Sequence, residues 1–347
     1  MMARSSQQRL VGSSSPAGGV MTDITRLSVR SNPRCLGHDP GLGHPESAKR
    51  VQVILDALEP GAAGRWMVDR EAPLPSDEDV LGVLKWVHDA DYIERVRLAA
   101  EEGHGWLDTH DCRVSKGTFD AALAAAGLAM NAALDLVNRK LDRAFVVLRP
   151  PSHHAEWASA KGYCFFNSVA LATELVVASW GEPVLIVDFD AHHGNGTQRH
   201  FFSRPEVGYV SVHAFPGFPG TGTADEIGDG GGEGTTRNVP LAPGADDSIF
   251  CTAFEEALDE VASRLRPSAI IVSAGFDAHA SDPIGGMRVS ESGFRRLSAA
   301  VTAAAQRWAS GRVLSFLEGG FDLQALANCA RIHVEELASG DVEKADA

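Results

Sequence analysis

The densest chemistry in the chain is Asp188-Phe189-Asp190-Ala191-His192-His193-Gly194-Asn195. Alternate side chains of an extended chain share a face, so this spacing points Asp188, Asp190 and His192 the same way. Carboxylate and imidazole are zinc ligands, and a catalytic zinc keeps three protein ligands plus an open position for water. The third ligand must come from elsewhere. Asp277, in Ala274-Gly275-Phe276-Asp277-Ala278-His279, is the best placed. A single Asp is more often a helix cap or half of an ion pair, but D-x-D-x-H-H directly behind an apolar run reads as a metal site. A second cluster is Arg149-Pro150-Pro151-Ser152-His153-His154. Its diproline stiffens the loop, and histidines beside a metal-bound water can move protons near neutral pH. The plainer reading of that segment alone is one surface and one packed histidine.

These residues need a frame. Short β-branched runs occur at Ala144–Leu148, Val184–Val187, Gly208–Val212, Ala269–Ser273 and Arg312–Leu317. Helical spacing is seen at Ser47–Leu58, Ser115–Lys140, Asn167–Trp180, Asp246–Arg264, Glu291–Trp308 and Asp322–Leu337. Strands alternating with helices imply βαβ units and a mainly parallel sheet. Runs apolar throughout are expected of strands covered on both faces. Parallel sheets bind ligands outside the carboxyl ends of their strands. The polar segments Arg149–His154, Asp188–Asn195, His213–Gly222, Asp277–Gly286 and Glu318–Asp322 should therefore converge on one rim. Gly228–Gly234 (GDGGGEG) lacks the Gly-Lys-Ser/Thr ending of a phosphate loop and reads as a turn.

Bulk properties narrow the class. At 347 residues, 44% apolar and 22% charged, the chain can bury a sizeable core, as one large α/β domain or two small ones. A net charge of -15 argues against a nucleic-acid surface; it slightly favours a cationic substrate or partner, while the plainer reading is that acidity aids solubility. The five cysteines are odd in number and widely spaced, without a C-x-x-C. They form neither a disulfide framework nor a cysteine zinc site, and they fit a reducing cytoplasm. No run of 18 apolar residues marks a membrane span. Residues 1–22 read as a disordered tail or an over-called start before Met21, residues 23–340 as the catalytic domain, and 341–347 as a flexible tail.

The motifs resemble the histone deacetylases and acetylpolyamine amidohydrolases of the arginase/deacetylase superfamily, closest to the class II branch. The matching pieces are His38-Asp39-Pro40 with His44-Pro45-Glu46, RPPSHHA (149–155), KGYCFFNSVA (161–170) and VDFDAHHGNGTQ (187–198). They continue with SVHAFPGFPGTG (211–222), NVPL (238–241), SAGFDAHASDPIGG (273–286) and LEGGFDL (317–323). They keep family order over nearly the whole chain. The resemblance implies a single-domain three-layer α/β/α fold and one zinc per chain held by Asp190, His192 and Asp277. It makes His154 the general base and then acid, with His153 largely electrostatic. Asp188 would support His153 and, with the Ser211 hydroxyl and backbone carbonyls of Asp190, His192 and Val212, bind a potassium ion. Asn195 faces His154 where other branches carry Asp. Tyr163, Phe218 and, further out, Ile284 map to the walls of an acyl-chain tunnel. Gly162 and Gly319 leave room in it, and Asp111 falls where some members grip the substrate backbone.

One position departs from the family pattern. Most deacetylases carry a tyrosine after the two glycines of the last segment, where this chain has Phe321. Three readings follow: an enzyme for a more reactive or differently shaped amide or ester, a metal-binding module that recognises acylated amines without turning them over, or a substitution introduced to trap substrate. A small-molecule or acyl-lysine-like substrate suits the short chain, and a homo-oligomer stays open. Ile284, where an acidic gatekeeper would stand, lowers the polyamine reading. The related ureohydrolases, with two manganese ions, need a denser Asp/His set.

Overall fold

The structure, a computed structural model, describes residues 25–59 and 64–340. The tails expected at 1–22 and 341–347 lie outside the described residues. In chain order the elements are β1 (Thr25–Arg30), α1 (Lys49–Leu58), β2 (Met67–Asp69), α2 (Asp77–Leu84), α3 (Ala90–Glu102), α4 (Thr118–Val137) and β3 (Leu141–Val146). Then follow α5 (Ser168–Trp180), β4 (Val184–Asp188), α6 (Asn195–Phe201), β5 (Val207–Ala214), β6 (Thr236–Leu241) and α7 (Asp247–Leu265). The last are β7 (Ala269–Ala274), α8 (Glu291–Trp308), β8 (Val313–Leu317) and α9 (Leu323–Ser339). Among the described residues eight strands form one parallel sheet ordered β2-β1-β3-β8-β7-β4-β5-β6.

The apolar runs explain the layers. Every residue of β4, β5, β7 and β8 is buried. Alternation sends Ala144, Val146, Ile186, Ile271 and Leu314 into one core with α2 to α5. Phe145, Leu185, Val187, Ile270 and Val313 enter the opposite core with α1, α7, α8 and α9. Polar side chains start the site-bearing helices: Asn167 accepts from Ala170 N, Ser290 from Gly293 N and Asp322 from Ala325 N. The helix α4 is apolar enough by length and composition to cross a membrane. However, most of it is buried, and it serves as a core helix against α5 and β3.

The elements expected from sequence are present with ends shifted by a few residues. Three strands and three helices had no expectation. β2 is only three residues long. β6 is polar and contains Pro240, which an edge strand tolerates.

His333 of α9 gives this core a measurable pH response. It is fully buried, with Nδ1 2.9 Å from Ser298 Oγ and Nε2 2.8 Å from Ser315 Oγ. Burial without a counter-charge lowers its pKa to about 3. As pH falls below the ordinary histidine value, the unfolded chain binds a proton that the folded chain refuses. Stability is therefore present at neutral pH and lost toward acid, by up to ~1.4 kcal/mol per pH unit for one such group. His333→Gln is expected to make the fall in Tm between pH 6.5 and 4.5 shallower by this one-proton slope. Thermal melts of both proteins across that range check it, and parallel slopes would refute it.

Candidate active site

The strands β3, β8, β7, β4 and β5 are consecutive in the sheet, so the loops after them open side by side. Those loops carry the five polar segments, and they enclose a cavity of about 330 Å³, within the usual range for small-molecule sites. His153, His154, Asp190, His192, Asp277 and Gly319 line its floor and Gly162, Tyr163, Phe218, Ile284, Phe321 and Asp111 its walls and mouth, with Pro151.

One ligand atom from each of Asp190, His192 and Asp277 lies within 4.8 Å of the others. His192 Nδ1 is 2.8 Å from Asp277 Oδ2 and 3.2 Å from Asp190 Oδ1. Backbone N–H groups orient both carboxylates: Gly319 N donates to Asp190 Oδ2 (2.8 Å) and Ala191 N to Asp277 Oδ1 (2.8 Å). Gly319 is required there, because a Cβ would fall 2.5 Å from an oxygen of each carboxylate. Burial, and then Asp190 beside it, push the Asp277 pKa up to about 7. Two buried carboxylates and an imidazole converging on one point form a donor set suited to a single divalent cation. Among the described residues this is the one group of three such side chains.

Asp188 does not share that point. β4 ends at Asp188 and the chain bends through the next residues, so the alternation drawn from extended backbone stops there. Its Oδ2 lies 2.9 Å from His153 Nδ1 and accepts from the Tyr209 hydroxyl (3.2 Å), while Oδ1 accepts from Asp190 N (3.1 Å). Ser211 sits opposite Asp188 in the ladder, and its Oγ lies 2.9 Å from His213 Nδ1.

The tandem histidines are separated electrostatically. For His153, burial is the largest influence and lowers the pKa, but Asp188, Asp190 and Glu318 together raise it to about 10. For His154, burial and the neighbouring His153 hold the pKa well below its ordinary value. Their ring centroids are 4.0 Å apart. One is thus a fixed cation and the other a neutral base at pH 7. His154 Nδ1 is 2.9 Å from Asn195 Oδ1, and the Phe218 ring stands edge-on to His154 at 5.0 Å. Gly162 passes directly over His154, at φ +57°. A Cβ there would lie 2.2 Å from the ring Cδ2. Gly162→Ala is expected to displace His154 and lower kcat by at least about tenfold, since misplacement of about 1 Å can cost 10²-fold. Steady-state kinetics at unchanged metal content tests this, and an unchanged kcat would count against it.

Phe321 is held from several sides. Its N–H donates to Asp282 Oδ2 (2.7 Å), its ring lies 5.8 Å from that of Tyr163, and the Arg50 guanidinium covers it at 4.9 Å. Asp111 faces the cavity with one oxygen already accepting from Gly162 N (2.6 Å).

Several contributors escaped sequence reasoning. Glu318 accepts from the backbone N–H groups of Ser152 (2.6 Å) and His153 (3.1 Å) and from the Ser152 hydroxyl, fixing the histidine loop. Asp282 ties the Ile284 loop, through Ile284 N (2.9 Å), to the Phe321 loop. Glu156 stands behind Asn195. All three lie in or beside conspicuous motifs, but their partners are remote in sequence.

A parallel α/β/α sheet with one Asp/His/Asp cluster and a histidine pair at its carboxyl edge defines a deacetylase-type architecture. Residues 44–337 match the model of the histone deacetylase domain, and the chain belongs to that family. It is 38% identical over 311 residues to a histone deacetylase-like amidohydrolase of Pseudomonas aeruginosa, covering 88% of this chain and 78% of that one. It is 34% identical over 291 residues to a probable deacetylase of Archaeoglobus fulgidus, covering 83% and 79%. A crystal structure of the HDA15 HD domain superposes with a TM-score of 0.83 at 31% identity, covering 91% of this chain and 90% of that one.

Proposed function

We propose that the protein is a zinc-dependent amidohydrolase that cleaves an N-acyl amide, acetyl-lysine-like or a small molecule, to a carboxylate and an amine. The observation that carries this reading is the placement of His154, whose pKa burial holds low, beside the Asp190/His192/Asp277 cluster in one cavity. Zinc bound by these three would polarise the acyl carbonyl and lower the pKa of a water. His154 takes a proton from that water as it attacks and returns it to the leaving nitrogen, so the amine departs neutral. The His153 cation favours the negative charge that develops on the carbonyl oxygen. Tyr163 and Phe218 exclude water from the chain of the substrate. Asp111 keeps one oxygen for substrate donors at the mouth. A potassium ion near Asp188 and Ser211 belongs to the same reading, supported by the full burial of that carboxylate. The five buried, unpaired cysteines support a reducing, cytoplasmic setting.

Phe321 favours a second reading, an acyl-amine-binding module with weakened turnover, because no hydroxyl stands where the family pattern has one. The acidic chain and the absence of a basic motif support a substrate other than nucleic acid. A hydrolysis screen across acetyl-lysine, acetylpolyamine, trifluoroacetyl-lysine and aryl amides, with and without a zinc chelator, separates the readings. Chelator-sensitive turnover of any of them supports the enzyme. Acyl-amine binding without turnover supports the module, and two manganese ions per chain would sink the single-zinc site.

A further inference from the structure

The base His154 has an amide rather than a carboxylate behind it, and an amide has two faces. With its oxygen toward Nδ1, Asn195 accepts from an Nδ1–H and leaves Nε2 free to take a proton. Turned over, it would offer N–H to Nδ1 and force the imidazole proton onto Nε2, which then could accept nothing. The two orientations are nearly equal in shape, so a third group must decide between them.

We infer that Glu156 is that group, a positioning residue acting on His154 through Asn195. Asn195 Nδ2 donates to Glu156 Oε1 at 2.8 Å and points more weakly at His154 O, 3.4 Å away. On its other side Asn195 Oδ1 lies 2.9 Å from His154 Nδ1. A carboxylate only accepts, so it selects the Asn195 orientation that presents N–H to Glu156 and oxygen to the imidazole. Glu156 is itself fixed. Its backbone pairs with Ser159 and its C=O lies 2.9 Å from His88 Nδ1. Lys161 Nζ and an Arg199 guanidinium nitrogen each lie 3.5 Å from one of its two oxygens. The carboxylate is mostly covered, and it is kept from the imidazole by one amide. The arrangement gives His154 the orienting effect of a carboxylate without a charge in contact with it, consistent with a base whose pKa stays low.

The inference rests on His154 being the proton carrier of the proposed hydrolysis, and its test has one arm independent of turnover. In long-range ¹H–¹⁵N spectra of the zinc-loaded protein, His154 is expected to be a single Nδ1–H tautomer. Glu156→Ala is expected to give a mixture of tautomers and lower kcat roughly tenfold at unchanged KM, the lower end of losses for groups behind a site. Glu156→Gln, which keeps an acceptor oxygen and the side-chain volume, is expected to recover most of both. In an Asn195→Asp background, where a carboxylate meets Nδ1 directly, Glu156→Ala is expected to cost nothing further. An unchanged tautomer in Glu156→Ala overturns the inference, as does an equal kcat loss in the Asn195→Asp background, which marks a merely structural role. If the wild-type protein hydrolyses none of the screened amides, the functional reading fails, and the tautomer spectra still decide the part played by Glu156.

Discussion

Phe321→Tyr is expected to raise kcat for acetyl-lysine substrates by about 10²- to 10³-fold, the usual worth of one oxyanion donor, or ~3–4 kcal/mol. The ring already lines the cavity beside Asp277, His154 and Gly319, and its backbone is pinned by Asp282 and its face by Arg50. An added hydroxyl is therefore carried by a ring that is already held, without a new side chain having to find its place. The gain should be larger for acetyl-lysine than for trifluoroacetyl-lysine, whose carbonyl is electrophilic enough to depend less on the donor. Parallel kcat measurements on the two substrates test both statements. A kcat that stays flat for both, with zinc content unchanged, would remove the missing hydroxyl as the limit on this site.

Asp190→Asn is expected to abolish zinc binding and to reduce hydrolysis by at least ~10³-fold, since in the proposed mechanism the metal would supply both carbonyl polarisation and the activated water. Burial would raise the pKa of Asp190, but His153 and His192 hold it far below the ordinary carboxylate value, so it is an anion at any working pH. Asn keeps the side-chain volume and one oxygen, enough for either the Gly319 or the His192 N–H group but not for both, and removes the charge that a dication requires. Loss of the anion also leaves the His153 cation with one counter-charge fewer, which disfavours a second positive group in the same place. Metal analysis after dialysis, with circular dichroism as the folding control, reads the result. Full activity in the zinc-free variant would sink the metal mechanism.

The residue types at 190, 192 and 277 and the two histidines at 153 and 154 were legible without coordinates because ligand chemistry is local. A carboxylate or imidazole behind an apolar run is conspicuous in one dimension. Convergence of five segments was legible too, because parallel strands have one carboxyl edge. The alternation argument reached too far at Asp188, where the strand ends and the chain turns its carboxylate toward His153 and Tyr209. The tunnel residues Gly162, Tyr163, Phe218, Ile284 and Gly319 were located by resemblance rather than by residue chemistry, since an aromatic or a glycine has no reactivity to announce it. In the fold they share one cavity.

What the chain by itself determined is the list of reactive groups, the βαβ order and the absence of a hydroxyl at position 321. What only tertiary structure decided is how each group behaves. Two adjacent histidines of identical chemistry acquire opposite protonation because Asp188, Asp190 and Glu318 surround one while burial and its cationic neighbour act on the other. Glu156, Glu318 and Asp282 gain their parts from partners dozens to more than a hundred residues away. Proton affinity and orientation depend on distance and burial in three dimensions, and sequence spacing carries neither.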